Sequence, residues 1–163
     1  MTQCPIEETL SSLGYTLPQA PPPAAIYLPY QRVGDQLWIA GQIATHEGQL
    51  LHQGRVGIEV SLEEAQRCAE VCLLNLLSQV KLATGNLADI EQVVKLNVFV
   101  SSASSFTDQH LVANGASELL GAVLGERGRH ARAAVGVSTL PLNSPVEIDA
   151  VFQVRAARGS VTR

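Results

Sequence analysis

The chain has 163 residues and a mass of 17.4 kDa, the size of one domain with one hydrophobic core. Its formal net charge is −4 and its lysines and arginines form no cluster, which argues against a groove that follows nucleic-acid phosphates. Hydrophobic residues make up 46% and charged residues 16%, so we expect an aliphatic core and a surface partly covered by partner subunits.

The sequence also bounds the location of the protein and its use of metals. The N-terminus lacks a basic region followed by an apolar stretch, and no segment reaches the roughly 20 apolar residues that span a bilayer. We therefore expect a cytoplasmic protein that does not enter the membrane. Cys4, Cys68 and Cys72 are expected to be reduced, the last two inside a helix. The histidines lack the short spacing of a zinc site, so no metal is expected.

The N-terminal part predicts a short helix followed by an arm. Residues 5–14 carry the helix, which ends at Gly14, and the prolines at 21–23 enforce an extended connection. We expect residues 1–23 to form this helix and proline-rich arm, and residues 24–163 to form a single domain.

A hairpin is predicted next. Residues 30–33 and 36–40 are strand-like runs on either side of Gly34, which supplies the positive φ that a tight turn needs. Gly41 follows the second run, where a glycine indicates a bulge and also lets a ligand approach the backbone. Residues 44–60 predict a loop with a short strand.

A long helix and a strand occupy the middle of the chain. Ser61 and Glu64 have the spacing of a capping box that begins the helix, and Gly85 is placed to end it. Between them, apolar residues recur at three- and four-residue steps, as in a helix that packs on a sheet. Residues 94–100 alternate apolar and polar side chains and predict a strand.

The last third of the chain predicts a second helix and two strands. The helix covers about residues 108–124, although an Asn-Gly pair inside it costs roughly 1 kcal/mol or more relative to alanine. Residues 132–137 and 146–154 follow as strands. The resulting order, β-β-(β)-α-β-α-β-β, predicts an α+β fold with two helices on one face of a mixed sheet.

Arg132 and Glu147 are charges that interrupt these two apolar strands. A guanidinium stays ionised at any accessible pH, so Arg132 needs an anionic partner, either in the protein or in a ligand. Glu147 points away from the apolar face of its strand. A structural salt bridge and a ligand site both remain open on spacing alone. If the last two strands form a hairpin centred near Pro141, Arg132 pairs near Ala150, and the two charges meet diagonally or across subunits.

The order of these features resembles the Rid family of reactive intermediate deaminases, also called YjgF-like or L-PSP endoribonuclease-like proteins, over about residues 24–155. The resemblance rests on five pieces: Tyr27 in AAIYLPY, the strand end Ala40-Gly41-Gln42-Ile43, the strand VVKLNVFV, Asn114 before the apolar run of the second helix, and Arg132 and Glu147 with the intervening Leu140-Pro141. The N-terminal arm and the segments NGASELL and GRHARAAVGV are most similar to a longer, little-characterised branch of that family.

The resemblance implies a chorismate mutase-like fold, a mixed six-stranded sheet with two helices on one face. It also implies a homotrimer whose sheets line a central barrel, with a pocket for a small carboxylate-bearing ligand at each subunit interface. The implied reaction hydrolyses enamines and imines such as 2-aminoacrylate to a keto acid and ammonia, with no cofactor. We expect neither nucleic acid nor a membrane as a partner.

The resemblance also implies site residues. The catalytic ones are Arg132, Glu147 and Tyr27, and the substrate-binding ones are Arg132, Asn114, Gly41, Ala40 and Ala134. The chemistry suits these residue types, because an arginine fork binds a planar carboxylate through two parallel hydrogen bonds. Glu147 is suited to hold or activate the water that attacks the C=N carbon. The Tyr27 hydroxyl is suited to orient that water or the imine nitrogen.

This chain departs from the better-known deaminases at two positions in the wall of the implied pocket. Those proteins commonly have serine before the glycine and cysteine two residues after the arginine, where this chain has Ala40 and Ala134. The implied pocket is therefore more apolar. A trimeric protein that binds a small acid without turnover is the alternative hypothesis. A ribonuclease is a third hypothesis, against which the acidic, unclustered charge argues.

Overall fold

The computed structural model describes residues 4–156. In chain order its elements are α1 (Pro5–Ser12), β1 (Tyr30–Val33), β2 (Gln36–Ile43), β3 (Thr45–His46), β4 (Gln49–Leu50), α2 (Leu62–Thr84), β5 (Ile90–Ser101), α3 (Gln109–Leu124), β6 (Ala131–Val137) and β7 (Val146–Val154). Short 3-10 turns precede β5, follow α3 and precede β7. The predicted α+β class, with a mixed sheet and helices on one face, is confirmed.

The main sheet has five strands in the order β1-β2-β7-β5-β6. Adjacent strands in this sheet are antiparallel, except β5 and β6, which run parallel. The prediction of six strands is wrong for the part of the chain that the structure describes, because β3 and β4 pair only with each other. The chain reverses between them at Glu47 and Gly48, both at positive φ. Because of this tight turn, the two short strands pair with each other and not with the main sheet.

β6 and β7 do not form the hairpin considered above, because β5 lies between them. Leu96 of β5 is in register with Arg132 on one side and with Ala150 on the other. Residues 138–145 cross the end of β5, a distance of roughly 10 Å for two strand spacings. Arg132 is therefore level with Ala150, as the hairpin would have placed it, but one strand farther away.

α2 begins and ends as its sequence predicts. The Ser61 hydroxyl accepts a hydrogen bond from the Glu64 amide at 3.2 Å, and the Ser61 amide donates to the Glu64 carboxylate at 2.8 Å. Gly85 ends the helix at φ +83°, a conformation that glycine adopts without strain. The helix covers one face of the sheet. The largest buried side chains of that sheet include those of Leu37, Leu96, Ile148 and Phe152.

Gly115 accounts for the unfavourable Asn-Gly pair inside α3. A β-carbon at position 115 would lie 2.3 Å from the carbonyl oxygen of Gln66 in α2. Next to this contact, the Gln66 side-chain amide donates to the Leu111 carbonyl at 2.9 Å. The glycine therefore allows α3 to approach the α2 backbone, and this packing offsets its low helix propensity.

The other face of the main sheet keeps apolar side chains partly exposed. Trp38 of β2 is 53% exposed and Val135 of β6 is 47% exposed. Between them, the Asn97 amide donates to Asp149 at 2.7 Å, so this face also carries a polar pair. None of the helices in residues 4–156 combines the length and hydropathy needed to span a bilayer.

Candidate functional site

Arg132 lies on the helix-facing side of the edge strand β6 and reaches towards α3. Its Nη1 donates to Asn114 Oδ1 at 3.0 Å and to Ser117 Oγ at 3.0 Å, and its Nη2 donates to the His110 carbonyl at 3.1 Å. All three acceptors are neutral. Within residues 4–156 no carboxylate lies within ion-pair distance of this guanidinium, so Arg132 and Glu147 form no salt bridge inside one chain.

Arg132 keeps two N–H donors beyond these contacts. A guanidinium has five N–H groups, of which the three contacts use both on Nη1 and one on Nη2. The Nε–H and one Nη2–H remain without an acceptor in the described part of the chain. Two donors on adjacent nitrogens are what a carboxylate takes in a bidentate pair.

Glu147 lies on the opposite face of the sheet from Arg132. Glu147 is in register with Phe99, whereas Arg132 is in register with the buried Leu96. Because residues three apart on a strand point to opposite sides, the sheet separates the carboxylate from the guanidinium. The two side chains can therefore face one ligand only if different copies of the chain contribute them.

The Glu147 carboxylate packs against the backbone of Gly41. A β-carbon at position 41 would lie 2.0 Å from Glu147 Oε1. Gly41 lies where the register of β2 on β7 shifts, between Ile39 and Gln42, so the bulge predicted at this glycine is present. Burial raises the pKa of Glu147, and the nearby Asp149 carboxylate raises it further.

A cavity of about 860 Å³ adjoins Gly41. Tyr27, Gln42 and Leu142 are among its lining residues. The Tyr27 hydroxyl accepts a hydrogen bond from the Ala24 amide at 3.3 Å, and the side chain is 44% exposed. Tyr27 and Gly41 therefore line one cavity, and the Tyr27 side chain is accessible from outside the chain.

The proline-rich arm forms one wall of this cavity. Buried polar side chains of α2 hold the arm in place: Ser78 Oγ donates to the Pro18 carbonyl at 2.7 Å, and Gln79 Nε2 donates to the Pro21 carbonyl at 2.7 Å. The arm is thus fixed to the core by hydrogen bonds to its backbone and shapes the cavity beside Tyr27.

The predicted site residues fall into two groups, which we name by their charged members. The arginine half-site contains Arg132, Asn114 and Ala134, and the glutamate half-site contains Glu147, Gly41, Ala40 and Tyr27. Within the first, Arg132 contacts Asn114, and Ala134 follows two residues later on the same face of β6. Within the second, Glu147 contacts Gly41, Ala40 precedes that glycine in β2, and Tyr27 lines the same cavity as the glycine.

Two polar residues at the arginine half-site were missed by the sequence analysis. Ser117 Oγ contacts both Arg132 and, at 2.9 Å, His130 Nε2. Their spacing could have indicated them, because Ser117 is one helical turn after Asn114, and His130 lies two residues before Arg132, just before β6 begins. Such spacings place side chains on a common face.

Other titratable groups do not form a second centre in the described chain. Burial raises the pKa of the Cys68 thiol to about 12, and burial also raises that of Cys72, so both remain protonated. All three cysteines are free. No group of three or more histidine, cysteine or acidic side chains within residues 4–156 is arranged to hold a metal ion.

Comparison with known proteins agrees with this geometry. The model of the family described as "YjgF/chorismate_mutase-like, putative endoribonuclease" matches residues 7–153, most of the chain. The chain belongs to this family. It is the Rid or L-PSP family that the sequence resembled, and its chorismate mutase-like fold is the one described above.

Three relatives show where this Rid family member lies within the family. Protein TCP17 of Trypanosoma cruzi is 43% identical over 150 residues, which cover 91% of this chain and 94% of that protein. The crystal structure of an Agrobacterium tumefaciens protein of unknown function is 49% identical over 93% of both chains, with a TM-score of 0.88. RidA from Psychrobacter is 29% identical over 83% of this chain and 94% of its own, with a TM-score of 0.59. The predicted membership of a longer branch is therefore confirmed.

Proposed function

We propose that the protein hydrolyses small carboxylate-bearing enamines and imines of the 2-aminoacrylate type to a keto acid and ammonia. The observation that carries the proposal is the environment of Arg132. Its guanidinium is half-buried, its described partners are all neutral, and two of its N–H groups are left for a ligand. A planar carboxylate supplies the charge and the two acceptors that this arrangement lacks.

The reaction follows from placing such a substrate between the two half-sites. 2-Aminoacrylate becomes 2-iminopropionate when a proton moves from nitrogen to the terminal carbon. The oxygen of a water molecule then adds to the C=N carbon, and Glu147 takes the proton that the water loses. Return of that proton to nitrogen gives the carbinolamine. When the hydroxyl proton of the carbinolamine also moves to nitrogen, the C–N bond breaks, which releases ammonia and leaves pyruvate. Burial and Asp149 raise the pKa of Glu147, which makes its carboxylate a better proton acceptor than an ordinary glutamate.

The site that we propose is shared between copies of the chain in a homotrimer. Arg132 and Glu147 lie on opposite faces of one sheet, so the arginine half-site of one copy must meet the glutamate half-site of the next. The partly exposed Trp38 and Val135 supply apolar surface for such an assembly. Ala40 and Ala134 make the shared pocket apolar and favour substrates whose side chain is also apolar.

Hydrolysis of freshly generated 2-aminoacrylate tests the proposal. The wild type should release ammonia faster than the spontaneous reaction, and Arg132→Ala should fall to the spontaneous rate. Arg129→Ala is the matched control, because Arg129 is 78% exposed and pairs with Glu126. It should retain the wild-type rate. Equal rates for the wild type and Arg132→Ala would refute the proposal.

A binding protein without turnover is the second candidate, and Ala40 and Ala134 favour it, because they remove two polar wall groups found in the better-known deaminases. Saturable binding of pyruvate without product release from 2-aminoacrylate would support it. The endoribonuclease of the family description is less favoured, because the chain has a net charge of −4 and no basic track for phosphates. Purified protein should leave RNA intact.

A further inference from the structure

A chain of hydrogen bonds leads from Arg132 back into the fold through two residues to which no function is yet assigned. Arg132 Nη1 lies 3.0 Å from Ser117 Oγ, which lies 2.9 Å from His130 Nε2. His130 Nδ1 in turn lies 2.6 Å from the Gly128 carbonyl oxygen. All three side chains are partly buried.

The geometry fixes the direction of every hydrogen bond when the imidazole is neutral. A carbonyl oxygen only accepts, so His130 Nδ1 carries the ring proton and donates it to Gly128. His130 Nε2 is then an acceptor and takes the Ser117 hydroxyl proton. The Ser117 oxygen is left to accept from Arg132. The tautomer of His130 therefore determines which way the Ser117 oxygen presents its lone pairs.

The series of hydrogen bonds ends at Gly128, whose backbone packs closely against α3. A β-carbon at position 128 would lie 2.4 Å from the Leu120 carbonyl oxygen, so the turn after α3 is packed directly onto that helix. Ser117 and Asn114 lie on α3 as well. The series of hydrogen bonds thus runs from Arg132 of β6 to Ser117 of α3 and ends, through His130, in the turn that packs onto the same helix.

We propose that Ser117 and His130 are positioning residues that set the orientation of the Arg132 guanidinium for its ligand. The proposal rests on the proposed function of Arg132 as a carboxylate anchor. With Nη1 held by Ser117 and Asn114, the Nε–H and the free Nη2–H keep one direction before the ligand arrives. A donor pair oriented in advance loses less entropy on binding than a mobile one.

The same contacts argue against Ser117 as a nucleophile. Ser117 lies in the middle of α3, where neighbouring backbone N–H groups are used within the helix and none is left for an oxyanion. Its oxygen also accepts a hydrogen bond from Arg132. The arrangement holds an arginine in place and does not activate an alcohol.

Nitrogen NMR tests the arrangement without any ligand. In wild-type protein at pH 8, long-range ¹H–¹⁵N correlation should show His130 as the Nδ1–H tautomer, and rotation of the Arg132 guanidinium should be slow. Ser117→Ala should speed that rotation. The Nε2–H tautomer in the wild type, or unchanged rotation in Ser117→Ala, would overturn the proposal.

Pyruvate binding, measured by isothermal titration calorimetry, tests the consequence. Ser117→Ala removes the link, whereas Ser117→Thr keeps the hydroxyl. His130→Gln keeps an acceptor where Nε2 lies, whereas His130→Asn keeps only the donor to Gly128. We expect Ser117→Ala and His130→Asn to raise the Kd about five- to tenfold, and Ser117→Thr and His130→Gln to stay within about twofold of wild type.

The outcomes separate this proposal from the function on which it rests. If the wild type does not bind pyruvate, the carboxylate anchor fails, and the NMR measurement alone decides whether Ser117 and His130 hold Arg132. If the wild type binds pyruvate and all four variants bind equally well, Arg132 is an anchor that needs no positioning, and the proposal is wrong. Weakening in all four variants to the same extent would also contradict it, because a merely structural role would not distinguish the conservative pair.

Discussion

The Glu147 carboxylate and the Gly41 backbone lie so close together that a β-carbon on Gly41 would stand 2.0 Å from Glu147 Oε1. The conformation of Gly41 is not what requires glycine, because its φ is not in the left-handed region. Space is what requires it. The absence of a side chain at Gly41 leaves room for the Glu147 carboxylate, and the carboxylate fills the space beside the bulge in β2.

Gly41→Ala should destabilise the protein only while Glu147 is present. The methyl group displaces the carboxylate, so the free energy of unfolding should fall by about 1–3 kcal/mol in the wild-type background. In a Glu147→Ala background the same substitution should cost less than about 0.5 kcal/mol. Urea unfolding at one fixed protein concentration measures both values. Equal costs in the two backgrounds would show that the close contact is not the cause.

Glu147→Gln should change how stability depends on pH. Because burial and Asp149 raise the pKa of Glu147 in the folded protein, its contribution to stability is present below the unfolded-state pKa and is lost as the pH rises through the folded-state value. The amide does not titrate. The free energy of unfolding of Glu147→Gln relative to wild type should therefore increase as the pH rises above about 4.5, the ordinary value for a glutamate. A difference that stays flat or decreases over this range would contradict the assignment.

Two glycines of α3 should respond oppositely to alanine. Gly115→Ala drives a methyl group into the Gln66 carbonyl and should cost about 1–3 kcal/mol of unfolding free energy or more. Gly121→Ala is the matched control, because nothing lies within 4 Å of its added β-carbon. It should stabilise the helix by about 0.5–1 kcal/mol. Thermal unfolding gives both shifts, and a harmless Gly115→Ala would show that the two helices are farther apart.

The cysteines should differ sharply in reactivity. Cys68 and Cys72 are buried, and burial raises the pKa of both thiols, that of Cys68 to about 12, whereas Cys4 is partly exposed. Iodoacetamide at pH 8 should therefore modify Cys4 alone in the native protein and all three cysteines in urea. Mass spectrometry of the peptides distinguishes them. Alkylation of native Cys68 at the rate of Cys4 would contradict the burial.

Features that depend on neighbours in the sequence could be predicted from it. The capping box of Ser61 and Glu64 and the end of α2 at Gly85 follow from local backbone chemistry, and both are present. The alternation of β7 likewise gives the face on which Glu147 lies. The family resemblance added the residue types of the site, which spacing alone leaves open.

Features that depend on strand partners could not be predicted in the same way. Alternation identifies β6 as a strand but does not say that it pairs in parallel with β5, and that pairing separates Arg132 from Glu147. Nothing in either segment indicates the separation. The contact of Ser117 with Arg132 and His130 also depends on how α3 lies over β6, although spacing along each element placed these residues on common faces.

A mixed assembly tests the shared site most directly. Arg132→Ala and Glu147→Ala chains, each inactive alone, are expressed with different tags, and assemblies that contain both are purified. If half-sites come from adjacent copies of a trimer, one interface in each mixed trimer joins an intact Arg132 to an intact Glu147, so about one-third of the wild-type rate on 2-aminoacrylate should return. Mixed assemblies that form but remain as inactive as either parent would contradict a site built between copies.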